Sequence, residues 1–229
     1  MKKLLRGIVE FREELLPQYA ARFRGLARGQ EPDALFITCS DSRVVPDLLV
    51  STDPGDLFVL RNVGNLIPPA SADGVSTGDV SEASAIEFSV LVLEVPHIVV
   101  CGHSGCGAMK AVMERRLGPE VPNLAQWLHH ASTAAFRLDH EGPLDESRDP
   151  CDQLSQLNVL VQMEHLMTYP IVRSRVESGA LLLVGWWFDI ATGDMLAYER
   201  TSRSFQVIDR EHAARLTARL LEKGGPAAG

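Results

Sequence analysis

Residues 34–43 read ALFITCSDSR. An unbroken apolar and β-branched run, ALFIT at 34–38, stops at a turn that holds a cysteine, an aspartate and an arginine. A short apolar run without alternation marks a strand covered on both faces, as in a parallel sheet. HIVVCG at 97–102 repeats the pattern and runs straight into HSGCG at 103–107. Two more runs, LFVLRN at 57–62 after the turn signal DPGD and LLLVGWWF at 181–188, read as strands. The TGD turn at 192–194 predicts a hairpin to MLAYER at 195–200.

Between these strands lie stretches of helical spacing. Residues 4–27 place Leu4, Ile8, Phe11, Leu15, Tyr19 and Phe23 on one face, and Pro17 divides or kinks the helix. Further helices are predicted over 81–93, 105–117, 122–139, 152–167 and 210–223. Strands alternating with helices predict an α/β chain with a central, mostly parallel β-sheet of four strands plus an antiparallel edge strand, flanked by helices, with an N-terminal helical arm. We expect one domain over 1–229, with the arm at 1–28 and a disordered tail at 224–229, GGPAAG. In such sheets ligands bind beyond the carboxyl ends of the strands, where strand order reverses. Both cysteine-bearing turns sit at strand ends and would meet there if the first and third strands are neighbours.

Bulk properties narrow the function. Hydrophobic residues make up 45% of the 229 and charged residues 23%, enough apolar material for a sizeable core. A net charge of −8 argues against broad nucleic-acid binding. The opening MKKLLRG is not read as a signal peptide, because Arg6, Glu10, Arg12, Glu13 and Glu14 interrupt any apolar core. No apolar run is long enough to span a membrane. Four cysteines do not make a disulfide framework, so a reducing cytoplasm is the simpler setting.

Cys39, His103 and Cys106 together offer two thiolates and an imidazole, a donor set that suits Zn²⁺. Cys106 lies three residues after His103 at a strand-to-helix turn, where a helix N-terminus favours the thiolate. Three protein ligands leave a fourth position open, as in a catalytic site. Asp41 could fill that position or hydrogen-bond a water there, while Arg43 could hold the same carboxylate in a bidentate pair. Other readings stand beside these: a Cys39–Cys106 disulfide, a thiol-redox pair, or a purely structural Asp41–Arg43 ion pair. Cys101 is read as core and Cys151 as incidental.

CSDSR at 39–43, RNVGN at 61–65 and CGHSGCGAM at 101–109 resemble the β-class carbonic anhydrases, most of all bacterial members, including those of cyanobacteria. TYP at 168–170, SR at 174–175 and GW at 185–186 extend the similarity over nearly the whole chain. The resemblance implies that Cys39, His103 and Cys106 bind one Zn²⁺ per subunit. Asp41 and Arg43 would then be a dyad controlling the fourth position, with Asp41 as the fourth ligand in a closed state. Zinc-bound hydroxide would attack carbon dioxide to give bicarbonate and a proton. The partners implied are these small molecules and other copies of the chain, as a homodimer or dimer of dimers, without nucleic acid or membrane. By position Phe58 and Phe88 match aromatic residues lining the family's substrate pocket, with Val63, Gly64 and Gly107 beside them. Some bacterial members carry an inhibitory bicarbonate site of tryptophan, arginine and tyrosine. The matching positions here are Phe36, Arg61 and Phe188, so that mode is expected to be weak or absent. Two alternatives keep the fold: hydrolysis of carbon disulfide or carbonyl sulfide, and a non-catalytic zinc-binding assembly protein.

Overall fold

The computed structural model describes residues 1–115 and 117–223, the last four by backbone alone. The expected tail at 224–229 lies outside the described residues. An arm opens the chain: α1 (Lys2–Glu10), a π turn over Phe11–Leu15, and α2 (Leu16–Leu26). Pro17, which has no N–H to donate, falls in the first turn of α2, directly after the π turn.

The elements that follow are β1 (Ala34–Cys39), α3 (Pro46–Leu49), β2 (Leu57–Asn62), α4 (Val80–Glu87) with a π turn over Phe88–Val92, and β3 (His97–His103). Next come α5 (Gly107–Glu114), α6 (Pro122–Leu128), α7 (Ser132–Glu141), α8 (Pro150–Thr168) and α9 (Pro170–Glu177). The last elements among the described residues are β4 (Leu182–Phe188), β5 (Met195–Glu199), β6 (Ser204–Val207) and α10 (Arg210–Lys223).

Among the described residues the strands form one six-stranded sheet in the order β2-β1-β3-β4-β5-β6. β2, β1, β3 and β4 are parallel, and β5 and β6 are added antiparallel. The expected four parallel strands and antiparallel partner are present, and β6 adds a strand that the pattern did not show. Its sequence, SFQV, is short and half exposed, so no apolar run announces it. The helix expected over 122–139 is broken into α6 and α7 by a 3-10 turn at His129–Ala131.

β1 and β3 lie at the middle of the parallel strands, and every residue of β1 is buried. The chain leaves β1 for β2 on one side and returns to β3 on the other, so strand order reverses between β1 and β3. Leu35, Ile37, Ile98, Val100 and Trp187 point into one core cluster, while Phe36, Val99, Cys101 and Phe188 form another. The alternation is the two-residue period of the pleat.

Helix α8 packs on β3 and β4 at close range. A Cβ on Gly102 would meet Val159 Cγ2 at 2.7 Å, and one on Gly185 would meet Met163 Sδ at 2.7 Å. Missing side chains at these positions let the helix approach the sheet directly beneath the strand ends.

Candidate metal centre

Cys39 ends β1, His103 ends β3, and Cys106 is the N-cap residue of α5. Thr38 pairs with Cys101, so the next residues along each strand bring Cys39 beside the end of β3. Gly105, at φ 59°, turns the chain back so that Cys106 joins them. The ligand-type atoms of the three residues all lie within 4.8 Å of one another, and all three side chains are buried.

The imidazole is prepared to accept a cation. His103 Nδ1 lies 2.9 Å from the Ser104 carbonyl oxygen, which can only accept, so Nδ1 carries the proton. Nε2 is left with a bare lone pair, buried and without a hydrogen-bond partner. An orphaned buried acceptor is costly, and a cation between it and the two sulfurs removes the cost. Orientation by a hydrogen bond on the remote nitrogen is the usual outer-shell arrangement of a ligating histidine.

The sulfurs are set the same way. Gly64 N–H donates to Cys39 Sγ at 3.4 Å. The hydrogen bond from Cys106 draws the Cys39 thiol down, with the Gly64 N–H adding to it against desolvation. The same contact, with burial, pushes Cys106 up. The opposite directions describe one proton shared between the two sulfurs. A dication needs both thiolates and releases that proton on binding. The donor set therefore fits zinc.

Asp41 stands at the edge of the cluster, with Oδ2 4.0 Å from His103 Nε2. Arg43 grips it with both arms: Nε donates to Oδ1 at 2.9 Å and Nη2 to Oδ2 at 2.7 Å. Nη2 also donates to the Gly105 carbonyl at 3.0 Å, tying the pair to the loop that carries Cys106. The Arg43 guanidinium holds the Asp41 carboxyl well below the usual carboxylate range.

Of the expected pocket residues, Gly64 touches the cluster through its N–H, exposed Val63 precedes it, and exposed Gly107 begins α5. Phe58 and Phe88 pack on each other, ring centroids 5.7 Å apart. Phe58 pairs with Leu35, four residues below Cys39. That places it about 13 Å along the strand from the cluster, so one chain does not bring the two rings to its own site. Phe36 and Phe188 are buried, and Arg61 is spent on backbone, donating to the Cys39 carbonyl at 3.1 Å and the Asp41 carbonyl at 2.7 Å.

Several residues that support the site are not singled out by sequence reasoning. Asp152 accepts from Gly105 N–H at 2.7 Å, Ser155 donates to the His103 carbonyl at 2.8 Å, and Asn158 donates to the Gly64 carbonyl at 3.1 Å. All three are on α8, spaced three apart, and that periodic polar stripe is the signal that could have revealed them. Asn62 closes the turn at 62–66 by bonding both the N–H and the carbonyl of Leu66. Glu82, which no sequence argument explains, accepts from Asn62 Nδ2 at 3.2 Å and so supports the same turn, its carboxyl raised by burial. Ser84 bonds back to the Val80 carbonyl within α4 and plays no part in the site.

A family model described as carbonic anhydrase matches residues 34–195. The carbonic anhydrase of Synechococcus elongatus is 43% identical over 91% of this chain and 75% of its own length. That of Pseudomonas aeruginosa is 43% identical over 90% of each chain. Among solved structures, the β-carbonic anhydrase CcaA superposes with a TM-score of 0.84 at 38% identity, covering 90% of this chain and 98% of that one. Cluster, topology and these similarities agree: the chain belongs to the carbonic anhydrase family, in its β class.

Proposed function

We propose that Cys39, His103 and Cys106 hold one zinc ion and that the chain catalyses the reversible hydration of carbon dioxide to bicarbonate and a proton. The observation that carries this reading is the buried, unpartnered Nε2 of His103 converging with two sulfurs. A zinc ion held there supplies a Lewis acid that makes water a nucleophile near neutral pH. Two thiolates leave such a centre less positive than three imidazoles do, so activity rises toward alkaline pH.

The chain's own residues control what reaches the fourth position. Asp41 is near enough to occupy it, and Arg43, by taking both carboxylate oxygens, keeps it free for solvent. Release of that grip would let Asp41 close the site. Carbon dioxide is small and apolar, and Val63, Gly64 and Gly107 offer it a mouth with little polar side-chain chemistry. Phe58 and Phe88 would line a pocket only across a subunit boundary. A homodimer or dimer of dimers is supported by likeness to the tetrameric β-carbonic anhydrases of Sordaria macrospora, 31% identical with a TM-score of 0.73. The inhibitory bicarbonate mode is weak or absent, because Phe36 and Phe188 have no N–H or O–H to donate and Arg61 is already engaged. A reducing compartment such as the cytoplasm suits the thiolate ligands.

The dyad is tested by stopped-flow hydration with Asp41→Ala and Arg43→Ala at matched zinc content. Each variant is expected to lose about 10- to 100-fold in rate. Wild-type rates in both would remove Asp41 and Arg43 from the mechanism.

A further inference from the structure

The peptide unit joining Val63 and Gly64 touches the metal cluster at one end and a tryptophan at the other. Its N–H, on Gly64, donates to Cys39 Sγ at 3.4 Å. Its carbonyl, on Val63, accepts from Trp127 Nε1 at 2.7 Å. The two bonds pull on opposite ends of one planar, conjugated group. A donor on the oxygen draws electrons toward it and makes the N–H a better donor, as in any hydrogen-bonded chain.

Everything around this peptide holds it in place. Gly64 has φ 88°, and a Cβ there would meet Ala108 Cβ at 3.0 Å, so the turn lies hard against α5. The next peptide is fixed separately, its carbonyl accepting from Asn158 Nδ2 at 3.1 Å. Trp127 is on α6, half-buried, its ring 5.5 Å from that of His130 in an edge-on contact. The indole thus reaches the thiolate ligand through a single amide.

We propose that Trp127 is a positioning residue of the metal centre: acting through the Val63–Gly64 peptide, it orients and strengthens the hydrogen bond that Cys39 accepts, and so sets how strongly that sulfur donates to the metal. The proposal rests on reading Cys39, His103 and Cys106 as a metal site. A thiolate that accepts a hydrogen bond is stabilised as an anion and held in the orientation that ligation needs, so losing the donor weakens its hold on the metal. Outer-shell partners of this kind are worth about 10- to 100-fold in metal affinity or activity. Trp127 contacts the ligand only through the peptide, so its effect must appear in the state of the Cys39 sulfur.

Trp127→Phe keeps an aromatic ring against His130 and removes the N–H donor. The protein is loaded with ¹¹³Cd and examined by NMR, with zinc affinity measured by chelator competition. In the wild type the Gly64 amide proton is expected to show scalar coupling to ¹¹³Cd across the N–H···S bond. In Trp127→Phe that coupling falls or vanishes, the ¹¹³Cd resonance moves, and the zinc dissociation constant rises about tenfold. A lower melting temperature with coupling, resonance and affinity unchanged would overturn the proposal, leaving Trp127 as a loop fastener only. A wild-type ¹¹³Cd signal typical of two thiolates but without coupling to Gly64 would overturn it while leaving the metal site intact. A wild-type protein that binds no ¹¹³Cd on two sulfurs would remove the metal reading, and the proposal with it.

Discussion

The tautomer of His103 is the first decision at the residue scale. Its proton is committed to Ser104, which leaves the nitrogen facing the two sulfurs open to a cation. Asp41 and Arg43 form the second decision at this scale. Because the folded carboxyl lies below its unfolded value, the pairing stabilises the fold in full above the unfolded carboxylate range and is lost only as pH falls through the folded value. A ¹³C NMR titration of the Asp41 carboxyl is therefore expected to stay flat across the ordinary carboxylate range. A midpoint at the ordinary value would show that Arg43 does not hold it in solution. The residues of the cluster and of the Asp41–Arg43 pair are legible in the sequence because cysteine and histidine are rare residue types and here sit in tight motifs. Trp127, Asn62 and Asn158 are not, because they act on backbone atoms that only the fold brings near.

Helix α8 is the element that ties the Gly64 turn to the turn at 103–106. Its buried face includes Ser155, Asn158 and Gln162, each spent on backbone or side-chain partners beneath the strand ends. Gln162 Oε1 takes the Ile67 N–H at 2.7 Å, and His165 Nδ1 bonds the Ile67 carbonyl at 2.7 Å. A helix at 152–167 was readable from its pattern. Its buried face was not, because that face is partly polar and hydrophobic periodicity looks for apolar stripes. The approach of α8 to the sheet makes a sharp prediction at Gly102. Alanine there would drive its Cβ against Val159 Cγ2, Trp187 Cδ1 and the Ser155 carbonyl. Overpacking of this kind costs about 1–3 kcal/mol. Denaturant melts of Gly102→Ala should show that loss together with weaker zinc retention, since His103 is the next residue. A variant as stable as wild type would mean that α8 is free to move away.

At the scale of the whole molecule, the sheet's carboxyl edge holds the candidate metal cluster and the arm holds much of the exposed apolar surface. Leu4, Leu5, Ile8, Val9, Phe11 and Leu15 are all exposed on the single chain. So are Val80, Phe88, Leu91 and Val92 along α4 and its π turn. Apolar surface on this scale marks an interaction face. Deleting residues 1–28 is expected to shift sedimentation toward smaller species and to expose apolar surface to dye. An unchanged oligomer would show that the arm packs elsewhere. The amphipathic arm and the parallel core were legible from spacing alone. The edge strand β6 was not, because four half-exposed residues pair through backbone and carry little pattern.

The central claim is that one zinc at Cys39, His103 and Cys106 makes this chain hydrate carbon dioxide. Stopped-flow hydration on protein of measured zinc content, from mildly acidic to alkaline pH, tests it most directly. The account predicts a rate proportional to zinc content, rising with pH, and lost along with the metal in Cys106→Ser. Stoichiometric zinc with no hydration at any pH would contradict it.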